Sequence, residues 1–402
     1  MKNAGSPKTL RLQSLDALRG FDMFWIISGE GIFHGFADVV KEKYGLLRDP
    51  VTYKIATNNN LSFIEKIAVG ISNQLHHTPW NGFTFYDMIF PLFIFIAGVS
   101  MPYSYGNRLE KEGVDKKNIK LKIYRSLIKR TIILLFLGMV VNGLLKWQPY
   151  ENTRFASVLG RIALASFFAA VIFLNTKLRG QIIWFAVILL GYWAAMELIP
   201  VPGFGSGNLT PAGNLEAYID SILLPGKLHR QVYDPEGLFS TITAIATALL
   251  GVFAGTFLRW DSEKFSMIKK SYTLILAGIV LVFAGWLWNF IFPINKNMWT
   301  SSFVLFAGGL STLFLAVFYL IIDVWQLKKW SMPFVWIGMN SILIYMAAHG
   351  TIDFEYTSQF LFGGLINKTP EIWHSAFLWI GVLLFQLSIL YFFYKQKWFL
   401  KI

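Results

Sequence analysis

An all-α, polytopic integral membrane protein with about ten transmembrane helices is the fold class this sequence predicts, and three observations predict it. Apolar residues fill 55% of the 402 positions and charged residues 15%, with a mean hydropathy of +0.50, so there is too little polar surface to coat a soluble domain. Apolar runs near the roughly 20 residues that cross a hydrocarbon core recur along the whole length. Lipid offers the backbone no hydrogen-bond partners, so each run must satisfy itself as a helix.

In chain order the expected spans are 21–36, 83–105, 127–145, 157–174, 181–199, 238–258, 272–292, 301–322, 333–348 and 373–394. The loops between them alternate sides, and Lys and Arg accumulate on the cytoplasmic one. The N-terminus and the even-numbered loops carry 24 of these residues, nine of them from Arg108 to Arg130, against 11 on the other side. Both termini are therefore expected in the cytoplasm, with residues 37–82, 200–237 and 350–372 outside. The basic start, with Lys2, Lys8 and Arg11, precedes a stretch that holds Asp22 and Glu30 and no small-residue cleavage site. It reads as a retained first span rather than a removed leader. One transmembrane domain is expected over 1–402.

Several chemistries drop out at once. The absence of cysteine removes disulfides, thiolate metal sites and a cysteine nucleophile. The net charge of +13 is spread between spans instead of forming one basic domain, so nucleic acid is not expected. No phosphate-binding P-loop and no dinucleotide fingerprint occurs, which argues against a nucleoside-triphosphate pump. Paired histidines can ligate zinc, but adjacent residues point apart and no His-Glu-x-x-His spacing is present, so no metal is expected.

Charges inside spans need a partner or a pathway. Asp22, Glu30, Asp87, Arg161 and Glu197 are such residues, and a plain structural reading pairs Asp87 with Arg161. Histidine alone exchanges a proton near neutrality at its unperturbed pKa. His77 lies in the run His76-His77-Thr78-Pro79-Trp80-Asn81-Gly82, where Pro79 and Gly82 shape a turn, Trp80 suits an interface and Asn81 can donate or accept. Asp234 and Glu236 precede the sixth span, where they can cap its N-terminus or line a polar site. Asn295 opens an outward turn that contains Trp299, and Asn340 in the ninth span can bond across helices.

Taken together, residues 11–20, His77 through Asn81-Gly82 to Asp87 and Phe90-Pro91, Tyr233 to Gly237, Asn295 to Ser302, and Gly338 to Ser341 resemble the heparan-α-glucosaminide N-acetyltransferase family, part of a wider group of transmembrane acyltransferases. The resemblance implies transfer of an acetyl group from cytoplasmic acetyl-CoA to an amino sugar or glycan across the membrane, with His77 as the family's catalytic histidine. Where the family carries an assisting asparagine in the first span, this chain has Glu30. It also looks shorter than the lysosomal members, beginning at the 11–20 motif.

On that basis His77, Glu30 and Asn81 are the catalytic candidates. Trp80, Asp87, Asp234, Glu236, Asn295 and Asn340 are candidates for the acceptor. Arg19, Arg161 and Lys401 are candidates for the phosphates of acetyl-CoA, which call for cations. Direct transfer with His77 as general base and a covalent acyl-imidazole both remain open. The expected setting is a multi-pass protein of the cell inner membrane whose site faces the periplasm, with membrane lipid around it and a homodimer left open. A transporter or flippase for a sugar-linked lipid is the rival reading, and internal repeats between the halves, which it would favour, are not evident.

Overall fold

The computed structural model describes residues 12–57, 59–110, 115–260 and 265–400, and among the described residues all regular structure is helical. Helix α1 (Gln13–Phe24) passes through a π turn (Trp25–Gly29) into α2 (Glu30–Tyr44), and α3 (Phe63–Gln74) follows. Next, α4 (Phe85–Met101) continues through a second π turn (Pro102–Gly106) to the single turn α5 (Asn107–Leu109). The helices α6 (Lys116–Val141), α7 (Val158–Asn175), α8 (Leu178–Leu198), the short α9 (Leu215–Leu223), α10 (Leu238–Arg259), α11 (Met267–Trp288) and α12 (Ser301–Phe318) come next. The chain finishes with α13 (Met332–Met339), α14 (Ser341–Met346), α15 (Phe354–Ile366) and α16 (His374–Gln396).

Among the described residues seven helical stretches are long and apolar enough to cross a membrane, and the α13–α14 pair, bent by 67°, makes eight if counted as one span. These fall on eight of the expected spans. The other two expected spans are also helical, but α1 and α2 carry Asp16, Arg19, Asp22 and Glu30, and α6 opens on a lysine-rich turn. Their denser charges separate them from the other spans, which hold at most two charged residues in any 18-residue window that qualifies them.

The core lies around α4 and α10, where Leu92, Ile94, Phe95 and Val99 pack with Ala244, Ala248 and Val252, all buried. These two helices touch through main chain. A Cβ added to Gly251 would lie 2.0 Å from the Phe95 carbonyl oxygen, and one on Gly98 would lie 2.0 Å from that of Ala248. The α1–α13 contact repeats the device: a Cβ on Gly20 would lie 1.6 Å from the Phe334 carbonyl oxygen, and one on Gly338 would lie 2.0 Å from that of Asp16. Small residues let helices approach this closely where water supplies no driving force.

Overpacking such a contact costs about 1–3 kcal/mol. Gly251→Val is therefore expected to lower the melting temperature in detergent, whereas Gly191→Ala, where a new Cβ meets nothing within 4 Å, leaves it unchanged or slightly raised. Equal melting of the two variants would contradict the close α4–α10 contact.

Candidate active site

The loops between helices gather at the two ends of the bundle, and His77 lies at the end where the segments before α4, before α10 and before α12 meet. Its position is set by Asp87 in the first turn of α4. The Asp87 carboxylate is fully buried, so it must collect donors. One oxygen accepts from Thr78 N at 3.3 Å, Thr78 Oγ1 at 3.0 Å and Thr84 N at 3.1 Å, and the other lies 2.7 Å from His77 Nδ1. A carboxylate only accepts, so Nδ1 carries the hydrogen and the lone pair is on Nε2. Asp87 therefore stands behind the ring rather than facing a substrate. The suggested ion pair of Asp87 with Arg161 is not formed: Asp87 pairs with His77.

Asn81 and Asn295 are joined, Asn295 Nδ2 donating to Asn81 Oδ1 at 3.0 Å. Beside them Gly82, at φ +118°, donates its amide to the Ile294 carbonyl at 2.9 Å. Asn295 Oδ1 accepts from Met298 N at 2.9 Å, and Asn295 N donates to Thr300 Oγ1 at 3.1 Å. Trp299 closes the turn at φ +49°, fully buried against Phe90 and Phe303. The turn so fixed places Lys296 Nζ 3.0 Å from His77 Nε2 and 3.1 Å from Nδ1. Lys296 was not singled out from the sequence, although a lone cation between two asparagines in a polar turn was a signal.

Glu30 reaches the site through Tyr86, whose hydroxyl donates to Glu30 Oε2 and whose ring lies 4.7 Å from that of His77. Its other oxygen lies 3.4 Å from His34 Nε2, and the His34 ring stacks on His76 at 4.2 Å. Burial pushes the His76 imidazole down to about 4. His77 also titrates below the ordinary histidine range. The side chain is 48% exposed, and the lowering comes first from lost hydration where the ring meets Asp87 and Lys296 and second from the Lys296 charge, together outweighing Asp87.

Trp80 ties a further segment to this end, donating Nε1–H to the Leu209 carbonyl at 2.8 Å and meeting Tyr233 edge-on. Asp234 and Glu236 are held by Arg154, which donates Nε–H to Asp234 Oδ2 at 2.8 Å and Nη2–H to both residues. Neither caps α10. Its first amides, Leu238 N and Phe239 N, donate to Asp220 Oδ1 at 3.0 Å each, from α9. Burial raises the carboxyl pKa values of Asp220 and of Glu216 one turn earlier, and for Glu216 the neighbouring Asp220 adds to this. Arg161 is fully buried, donates to the Gly237 carbonyl and Ser240 Oγ, and stacks over Trp299 at 4.9 Å. It thus supports the turn that carries Lys296.

The remaining candidates lie elsewhere. Arg19 contacts Asp16 and Ser100 near the start of α1. Asn340, at the α13–α14 bend, clasps the C-terminal tail: Nδ2 donates to the Trp398 carbonyl at 3.0 Å, and Oδ1 accepts from Leu400 N at 3.0 Å. Lys401, like Arg11, lies outside the described residues. Between α6 and the bent pair runs a cleft of about 820 Å³, apolar along Ile133, Leu137, Leu343 and Met346, with Lys129 and Arg130 on its α6 wall.

A protein-family model described as heparan-alpha-glucosaminide N-acetyltransferase, catalytic, matches residues 60–285, more than half of the chain. This chain belongs to that family. The match takes in His77, Asp87, Arg154, Arg161 and Asp220, whereas Glu30 and Lys296 fall outside it. The heparan-alpha-glucosaminide N-acetyltransferase of Mus musculus is 29% identical over 81% of this chain and 56% of its own length. That of Homo sapiens is 31% identical over 67% of this chain and 48% of its own. The chain spans about half the length of these relatives.

Removing one partner of a buried ion pair leaves the other charge uncompensated, at a cost of about 3–5 kcal/mol. Arg154→Met is expected to destabilise the protein on that scale in denaturant titrations in detergent. A loss below about 1 kcal/mol, the range of exposed pairs, would show that water already serves Asp234 and Glu236.

Proposed function

We propose that this chain is a membrane-bound acetyltransferase that carries the acetyl group of acetyl-CoA to the amine of a glucosamine-like sugar, with His77 as the general base. The observation that carries the reading is the Asp87–His77 pair within the family-matched segment. Asp87 holds Nδ1–H, so Nε2 is the atom left to take a proton.

The neutral amine nitrogen attacks the thioester carbonyl carbon and loses its proton to Nε2 as the C–N bond forms. The C–S bond then breaks, and the proton passes from the imidazolium to the departing thiolate, which restores the base. Direct transfer of this kind needs both substrates bound together. Asn81, Trp80, Glu30 and Asn295 are near enough to shape the acceptor side, while Asp87, Arg161, Asp234 and Glu236 act by holding that wall in place.

The donor's phosphates favour the opposite end. Lys129 and Arg130 on the wall of the α6 cleft suit them, with Arg19 and Lys401 as further cations. Behind that cleft α14 packs on α1 and touches the π turn that leads to Glu30, and in this reading the pantetheine arm runs along that contact toward His77. In this arrangement α1–α2 and α6 complete ten spans, both termini are cytoplasmic, and His77 opens to the periplasmic side of an inner membrane.

The test is acetyl transfer by the purified protein from labelled acetyl-CoA to a panel of amino sugars. General-base catalysis is worth about 10²- to 10⁴-fold, so His77→Ala is expected to lose that much turnover at neutral pH. Undiminished transfer would remove His77 from the role. A wild type that binds no acetyl-CoA would sink the enzyme reading in favour of the transporter, and label trapped on the protein without acceptor would redirect the chemistry to an acyl-imidazole.

A further inference from the structure

The turn before α12 presents a cation to His77 that the reaction drawn above does not use. A carboxylate 2.7 Å from an imidazole stabilises the imidazolium. An imidazolium has no lone pair with which to accept a proton, so with Asp87 alone a larger share of the rings is protonated near neutral pH and out of use as a base. Lys296 reverses the balance. Its Nζ lies 3.0 Å from Nε2, 3.1 Å from Nδ1 and 3.8 Å from Asp87 Oδ1, and only 14% of its side chain is exposed.

We propose that Lys296 is a positioning residue that sets the charge of His77: its ammonium neutralises Asp87, so the ring is held as the free base. This rests on the reading of His77 as the base. Asp87 and Lys296 already form a neutral pair, and a proton on the ring would place two positive charges about 3 Å apart, with Lys296 largely shielded from water although 48% of the His77 side chain is exposed. The other groups facing the ring are Tyr86 on α4 and, through it, Glu30 on α2. Glu30, Glu236 and Arg161 act on Lys296 from farther away.

The turn leaves little freedom to move this cation as a unit. Asn295 is bonded to Asn81, Met298 and Thr300, Ile294 to Gly82, and Trp299 lies under Arg161. Only the four-carbon stem of Lys296 is adjustable. Nζ is nearly equidistant from the two ring nitrogens, so the ammonium lies over the ring rather than on the Nε2 lone pair.

The experiment reads His77 directly. Diethyl pyrocarbonate modifies only neutral imidazole, and the pH dependence of carbethoxylation on the His77 peptide is followed by mass spectrometry of the detergent-purified protein. In the wild type the midpoint is expected below about 6.5, the ordinary histidine value. Lys296→Met is expected to raise it by at least about one pH unit, and the acid limb of kcat/KM for acetyl transfer moves up with it, so that activity lost near neutrality returns in alkaline buffer. Lys296→Arg keeps the charge and leaves the midpoint within a few tenths of a unit.

A midpoint unmoved in Lys296→Met overturns the proposal. So does a wild-type midpoint at or above the ordinary value, a result that needs no variant to fold. A low midpoint that rises in Lys296→Met while the wild type transfers no acetyl group sinks the acetyltransferase reading and upholds the charge assignment.

Discussion

A carboxylate withdrawn from water has to be enclosed by donors, and Asp87 meets that demand with the eight residues from His77 to Thr84. His77, Thr78 and Thr84 wind around it, and the rest of the site is attached to that winding. Trp80 takes the Leu209 carbonyl, Asn81 takes Asn295 and Gly82 takes the Ile294 carbonyl. Three segments far apart in sequence thus depend on one buried charge for their mutual position. If Asp87 lost its donors, the imidazole and the turn facing it would lose their common reference.

A second polar network stands beside the first and does different work. Arg154 pairs with both Asp234 and Glu236, and Asp220 caps α10, together fixing the segment before that helix. Arg161 lies between the networks, bonded to Gly237 and Ser240 on one side and stacked on Trp299 on the other. An arginine buried in an apolar span is costly, and its place here is explained by the turn it supports.

Much of the architecture could be read from the residues because lipid imposes one rule on every span. Apolar runs fell on long helices, and the two expected spans that stand apart by composition, α1–α2 and α6, are those with the densest charges. His77 stands out in the sequence because few residues exchange protons near neutrality, and the structure gives it a buried carboxylate partner in Asp87. Partnerships were not legible. The sequence requires a charge in a span to be matched but does not say by what, so Asp87 and Arg161 were set against each other when each had a different partner. Capping was sought locally in Asp234 and Glu236, and the cap came from Asp220 on the preceding helix. Lys296 meets His77 across 219 positions, a distance no local pattern spans. Asn340 was expected to bond between helices, and its amide instead holds the end of the chain.

The glycine contacts between α4 and α10 and between α1 and α13 bear on how anything crosses this protein. Where main chain rests on main chain, no side chain fits between the two helices, and each pair is held as one piece. A thin, flexible tether carrying a small group suits that constraint, and a bulky cargo swung from face to face does not.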